Sequence, residues 1–275
     1  MTGLLLALGT GLSAGLHSAT WGMYKDAPHE GFEWSTYVRS PILAAAIAVA
    51  IVAGTELDPT SPAGLVLLFG VTYGLERAFL EIYKSFLRVE DQSKYTIPMQ
   101  FAIRGKVVES AAMRWSACVV YVWVEVLVLF GVYWLQRSGP ALHPLFIVFL
   151  VGSAGGWISA IGGAWKDAPI EGFLIFKFFR SPGIAFMYGI LLGSLTTNFV
   201  FIFIGSIGFT VATIETYKTF FFPHRPRGKF MGKTPLFPEF LHTRTRFVPL
   251  YVLIWLGVLI SGVLAFVGPR EGLLF

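Results

Sequence analysis

The sequence predicts an all-α polytopic membrane protein of about eight transmembrane helices, arranged as a parallel four-plus-four internal duplication. Three observations predict it. Apolar runs of about 20 residues, the length a helix needs to cross a bilayer, recur along the chain. Composition agrees: 55% of the 275 residues are hydrophobic and 13% are charged, roughly half the charge of a soluble domain, and mean hydropathy is +0.67. Finally, residues 25–41, KDAPHEGFEWSTYVRSP, return at 166–182 as KDAPIEGFLIFKFFRSP. Such a repeat sets architecture before any single residue is interpreted.

Eight hydrophobic segments follow in order: 3–23, 41–54, 62–86, 115–136, 144–165, 182–196, 199–221 and 248–267. No basic stretch precedes the first, and it leads into half of the repeat, so it reads as a retained helix and not as a signal peptide. Its Gly11, Gly15, Ala19 and Gly22 recur in segment five as Gly152, Gly156, Ala160 and Gly163. A stripe of small residues lets membrane helices approach closely, which predicts that segments one and five pack on each other and bring the two KDAP loops together.

Segments two and six open on Ser40-Pro41 and Ser181-Pro182. Serine favours the N-cap and proline the first helical turn, so both helices are expected to start there. About 14 residues then span roughly 21 Å of a core about 30 Å thick, which predicts recessed helix starts. Segments three and seven end on EIYKSF and ETYKTF. Glu81 and Lys84 share one helix face, as do Glu215 and Lys218. The offset between copies falls from 141 to 134 here because the loop 56–62 is replaced by the shorter 196–198 turn. An even number of crossings separates the copies, 1–138 and 139–275. They therefore share one orientation, unlike the inverted repeats of many transporters.

Charge orients the chain. All but Arg77, Arg137 and Arg270 of the 21 lysines and arginines fall at or after the ends of segments one, three, five and seven. Basic loops stay in the cytoplasm, so both termini are expected outside and the KDAP loops inside, in a cell (inner) membrane. The pI near 9.3 then describes a basic cytoplasmic face suited to anionic lipid headgroups. No aromatic-plus-basic nucleic-acid module is present. The loop after segment seven, with Arg225, Arg227, Lys229 and Lys233, is the most basic. It lacks the GxxxxGK[ST] spacing of a phosphate-binding loop. The single Cys118 excludes an internal disulfide.

The candidate anion site comprises Lys25, Arg39, Ser40 and Lys84 with their counterparts Lys166, Arg180, Ser181 and Lys218. Helix N-termini beside arginine attract anions. The same residues also read as ordinary caps and interfacial anchors. Asp26, Glu30, Asp167 and Glu171 offer oxygen ligands to a divalent cation, or else belong to salt-bridged turns. Glu125 lies in the middle of segment four without a counterpart. It reads as a protonated structural group, a partner of Arg77, or a proton-coupling carboxylate. His17 reads as a packing histidine.

These residues predict a transporter or channel for an anionic solute or phosphorylated lipid, with a duplicated cytoplasmic-face anion site. Two other classes stay open. One is a membrane enzyme acting on a phosphorylated lipid. The other is a structural or assembly subunit of a larger membrane complex, or a homo-oligomer, which the scarcity of intramembrane charge favours.

Overall fold

The computed structural model describes residues 1–139, 141–224 and 227–275, and Arg225 of the basic loop lies outside them. Eight long helices dominate: α1 (Thr2–Glu30), α2 (Trp34–Gly54), α3 (Pro62–Ile82), α4 (Ala111–Ser138), α5 (Pro144–Glu171), α6 (Ile175–Gly193), α7 (Phe199–Phe220) and, after the short turn α8 (Phe240–Thr243), α9 (Val248–Val267). Seven of these are long and apolar enough to cross a membrane, which supports the membrane class. The exception is α1. It is long enough, but Gly, Ser, Thr and His interrupt it, and it buries Ala7, Ala14, His17, Ser18 and Thr20 inside the bundle.

Local chemistry sets most helix ends. Ser61, Ser110 and Asn198 accept the backbone N–H of Gly64, Met113 and Phe201, capping α3, α4 and α7. Pro62 and Pro144 occupy the first turns of α3 and α5. Gly31 and Gly172, at φ 83° and 82°, end α1 and α5 in a conformation that residues with a Cβ rarely adopt.

Three expectations are corrected. The KDAP motifs are not loops: both are helical, forming the last turns of α1 and α5, with Pro28 and Pro169 inside the helix. Nor do Ser40-Pro41 and Ser181-Pro182 start helices. α2 begins at Trp34 and α6 at Ile175, so both Ser-Pro pairs lie in helix interiors. At 21 and 19 residues these helices reach about 30 Å, and no recessed start remains. Close packing explains why proline is tolerated. A Cβ on Gly15 would strike Pro41 Cα and the Ser40 carbonyl, and one on Gly156 would strike Pro182 Cα and the Ser181 carbonyl. In membranes a neighbouring helix in such contact offsets the hydrogen bond that proline removes.

That contact carries the third correction. The glycine stripes of α1 and α5 serve α1–α2 and α5–α6, and not a pairing of α1 with α5. Gly11 abuts Ala44, Ala45 and Ala48, and Gly152 abuts Gly189. The two halves meet instead at α3 and α7. There a Cβ on Gly208 would run into the Gly70 carbonyl and the Gly74 amide, and one on Gly74 into the Ile204 carbonyl. Around this crossing lies one apolar core that includes Leu68, Phe69, Val71, Ile202, Phe203 and Phe209.

One end of the bundle gathers the C-terminal ends of α1, α3, α5 and α7. At the opposite end Gly3 approaches Pro59, and the C-terminal tail returns to the α6–α7 turn through Leu273 N–H to Thr196 O (3.2 Å) and Leu274 N–H to Gly193 O (3.1 Å). Replacing Gly208 by leucine must separate α3 from α7. The expected result is a lower melting temperature in detergent, with a cost of about 1–3 kcal/mol or more. Gly163→Leu, at a position with nothing within 4 Å, is expected to melt like the wild type.

Candidate functional site

The polar end is built by exchange between the two halves. Lys25, at the end of α1, reaches Glu215 of α7: Nζ donates to Oε2 at 2.7 Å. Glu215 also takes Lys218 of its own helix at 3.2 Å. The reciprocal arrangement joins the other ends. Lys166 of α5 lies 3.4 Å from Glu81 of α3, and Glu81 takes Lys84 at 2.6 Å. Each KDAP lysine thus binds the glutamate of the other half's E-x-Y-K motif. The four lysines that the sequence marks for an external anion are instead paired, two to each, with two internal carboxylates.

The loops cross as well. Lys229, from the segment after α7, donates to both oxygens of Glu30 at 3.0 and 2.9 Å and lies 3.6 Å from Asp26. Phe237 N–H donates to the Pro28 carbonyl, and Arg244 donates to the Tyr24 carbonyl. All of these seal the end of α1 with residues of the second half. The segment after α3 covers the end of α5 in return. Its hairpin, β1 (Ala102–Ile103) against β2 (Lys106–Val107), turns at Arg104 and Gly105 with positive φ, and Trp165 Nε1–H donates to the Ala102 carbonyl at 3.1 Å.

The four candidate metal carboxylates are not brought together. Glu30 is held by Lys229 and by the Thr96 amide (3.1 Å), and Glu171 pairs with Lys177 at 3.0 Å. Among the described residues no three His, Cys, Asp or Glu side chains form a metal-sized group. Of the basic loop, Arg227 lies over the Phe222 ring at 3.9 Å and Lys233 is exposed.

Arg39 and Arg180 differ from the lysines. Both have an Nε that is buried and without a hydrogen-bond partner among the described residues. Arg39 sits over the Tyr83 ring, 5.1 Å from its centroid, while Arg180 lies in Coulomb range of Glu215 and Tyr217. Ser40 and Ser181 are buried against α1 and α5.

The intramembrane pairing of Arg77 with Glu125 is also corrected. Arg77 forms a two-point bond to its own neighbour Glu76, at 2.5 and 2.6 Å. Glu125 lies beside Tyr121, one turn earlier on α4. Adjacent unlike charges inside an apolar run were the readable sign of the Glu76–Arg77 pair.

A buried polar cluster adjoins it and was not foreseen. Trp21 Nε1–H donates to the Tyr73 hydroxyl at 2.8 Å, and that hydroxyl lies 3.1 Å from His17 Nδ1. His17 is fully buried and stacks on Tyr251 at 4.2 Å. The Tyr251 hydroxyl and Trp255 Nε1–H both meet the Thr216 hydroxyl, at 2.7 and 3.1 Å. The sequence signal for it lies in residues unmatched at the offsets of 141 and 134. Where the first half has His17, Trp21, Tyr73, Glu76 and Arg77, the second has Ile158, Gly162, Ile207, Thr210 and Val211.

Fold and polar end together define a helical membrane protein. No family model matches the chain, and neither the curated proteins nor the solved structures compared with it give a match.

Glu215→Ala strands both Lys25 and Lys218 and is expected to cost about 3–5 kcal/mol, as for one partner removed from a buried pair. Lys25→Ala is expected to cost less, because Lys218 still holds Glu215. Added to Glu215→Ala, it should cost nearly nothing more. A double-mutant cycle on unfolding in micelles reads this coupling.

Proposed function

We propose that the protein is an integral membrane transporter or channel for an anionic solute or phosphorylated lipid, built from two parallel four-helix repeats, 1–138 and 139–275. The observation that carries the reading is the pair Arg39 and Arg180. These arginines stand 141 residues apart, and each holds a buried guanidinium nitrogen without a partner, while the lysines around them are spent on Glu81 and Glu215. Arginine is the side chain best matched to phosphate and carboxylate oxygens.

The crosswise pairs Lys25–Glu215 and Lys166–Glu81, and the matching Gly15–Pro41 and Gly156–Pro182 contacts, support the duplication. The Lys/Arg distribution supports a cytoplasmic polar end with both termini outside. Anionic headgroups of a cell (inner) membrane are the natural partners of that end.

A second reading, a subunit of a larger membrane complex, is favoured by α4. Trp115, Trp123, Phe130 and Trp134 on it are each more than half exposed.

Flux decides between them. Proteoliposomes loaded with inorganic phosphate, and liposomes carrying a fluorescent phosphatidic acid, report transport of either substrate class. Arg39→Ala/Arg180→Ala is expected to lower flux at least about tenfold, the loss of one strong charge-assisted contact. Equal flux in a double variant that melts like the wild type overturns the transport reading. Isolation of the wild type only within a stable multi-protein complex, with no flux alone, favours the subunit.

A further inference from the structure

We propose that the anion site is single, that it lies in the first half where Arg39, Arg88 and Tyr83 meet at the end of α3, and that it takes a phosphate group. This rests on the reading of function above and narrows it from two sites to one.

The two arginines at matching positions sit in different fields. Arg180 has the Glu215 carboxylate and the Tyr217 phenol as its charged and titratable neighbours. The charges and titratable groups that bear most on Arg39 are Arg88, Tyr83 and Arg77. Tyr83 links the two nearer arginines: Arg39 lies over its ring at 5.1 Å, and the Arg88 N–H donates to its carbonyl at 2.8 Å, with the Arg77 charge in Coulomb range of Arg39. Like charges held together favour any anion that enters between them.

Local backbone geometry brings Arg88 there. α3 does not end as α7 does. Its last turn, Tyr83–Leu87, opens into a π-helix, and Arg88 N–H bonds the Tyr83 carbonyl at 2.8 Å. α7 runs as a regular α-helix through the equivalent residues to Phe220. Single π-turns inside or at the end of α-helices mark functional sites more often than chance. At the offset of 134, Arg88 corresponds to Phe222 and Arg77 to Val211. The second half thus has one of the three arginines.

Hydrogen bonding leaves the cluster incomplete. Arg77 turns its Nε–Nη2 fork to Glu76. Arg39 Nε and Arg88 Nη2 are buried without partners. Arg88 Nε lies 2.8 Å from Glu90 Oε1, yet its N–H does not aim at that oxygen, which the Tyr95 hydroxyl already occupies at 2.5 Å. Glu90 Oε2 is taken by Lys94 at 2.9 Å. Burial resists ionisation of Glu90, but the hydrogen bonds from Tyr95 and Lys94 and the Arg88 charge prevail and hold its carboxyl below the usual glutamate range. Glu90 is therefore an anion already bonded by Tyr95 and Lys94, and Arg39 Nε has no partner among the described residues.

The missing ligand must bring several acceptor oxygens to two guanidinium forks. Phosphate does so with the geometry that arginine fits bidentately, and the Tyr83 hydroxyl adds a donor. Tyr83 is 37% exposed, so the site is open to a phosphate arriving on a lipid headgroup or on a soluble compound.

The test measures binding by the full-length protein. Inorganic phosphate is titrated against protein in neutral detergent. Phosphatidic acid is titrated in phosphatidylcholine nanodiscs. Arg39→Ala and Arg88→Ala are each expected to weaken binding at least tenfold, and Arg180→Ala less than twofold. Arg39→Lys, which keeps charge and loses the fork, should fall between. Binding of phosphatidic acid alone assigns the lipid, and binding of inorganic phosphate alone assigns a soluble compound.

Equal weakening by Arg180→Ala and Arg39→Ala overturns the single site and leaves the duplicated one standing. A wild type that binds neither probe overturns the phosphate site. If the same preparation still conducts anions in liposomes, the transport reading survives that result. Melting temperatures of all variants, with Arg39→Lys as the conservative control, separate lost binding from lost folding.

Discussion

Helices α3 and α7 cross with almost no side chain between them, and the remainder of the molecule hangs on that approach. The contacts run from backbone to backbone at Gly70, Gly74 and Gly208, with Phe209 closing one flank. In a bilayer, where lipid tails are as apolar as leucine, helices associate by such dispersion contact and by hydrogen bonds. Glycine is what permits it. The crossing also sets a register. Glu81 lies seven residues beyond Gly74, and Glu215 lies seven beyond Gly208. Both carboxylates therefore reach the same end at similar height, where lysines from the opposite halves meet them.

From that register follows an interlock. Lys25 and Lys166 exchange partners across the crossing. The segment after α7 closes the end of α1, and the hairpin after α3 closes the end of α5. Exposed ion pairs are worth little, but Lys25 and Glu215 are largely withdrawn from solvent, at 15% and 13% exposure, whereas Lys166 and Glu81 are more open, at 29% and 42%. Separating the halves would strand charges at the edge of the apolar region. The interlock therefore resists separation by the cost of exposing charge to lipid, and not by the strength of any one pair.

The motifs repeated in sequence at the polar end make the departures from them informative. The rim motifs recur in both halves, while His17, Trp21, Tyr73, Glu76 and Arg77 and the widened turn before Arg88 come from the first, and Tyr251, Thr216 and Trp255 complete the buried cluster from the second. Polar groups inside a membrane protein are costly and are retained where they act.

By itself, the chain determined the helical membrane class, the approximate limits of most spans, and the repeated motifs at one end. These follow from local quantities: the length of apolar runs, caps such as Ser61 and Asn198, and spacing along one helix, as in Glu81–Lys84. Other features were settled only by tertiary structure. Ser40-Pro41 reads locally as a helix start, and only the bare backbone at Gly15 lets the helix run through it. Lys25 reads as a free cation until Glu215, 190 residues away, occupies it. The glycines of α1 point to a partner without naming it, because a small-residue stripe specifies how closely a helix approaches and not which one. Pairings between distant residues depend on which faces the α3–α7 crossing leaves available, and no local pattern along the chain encodes that choice.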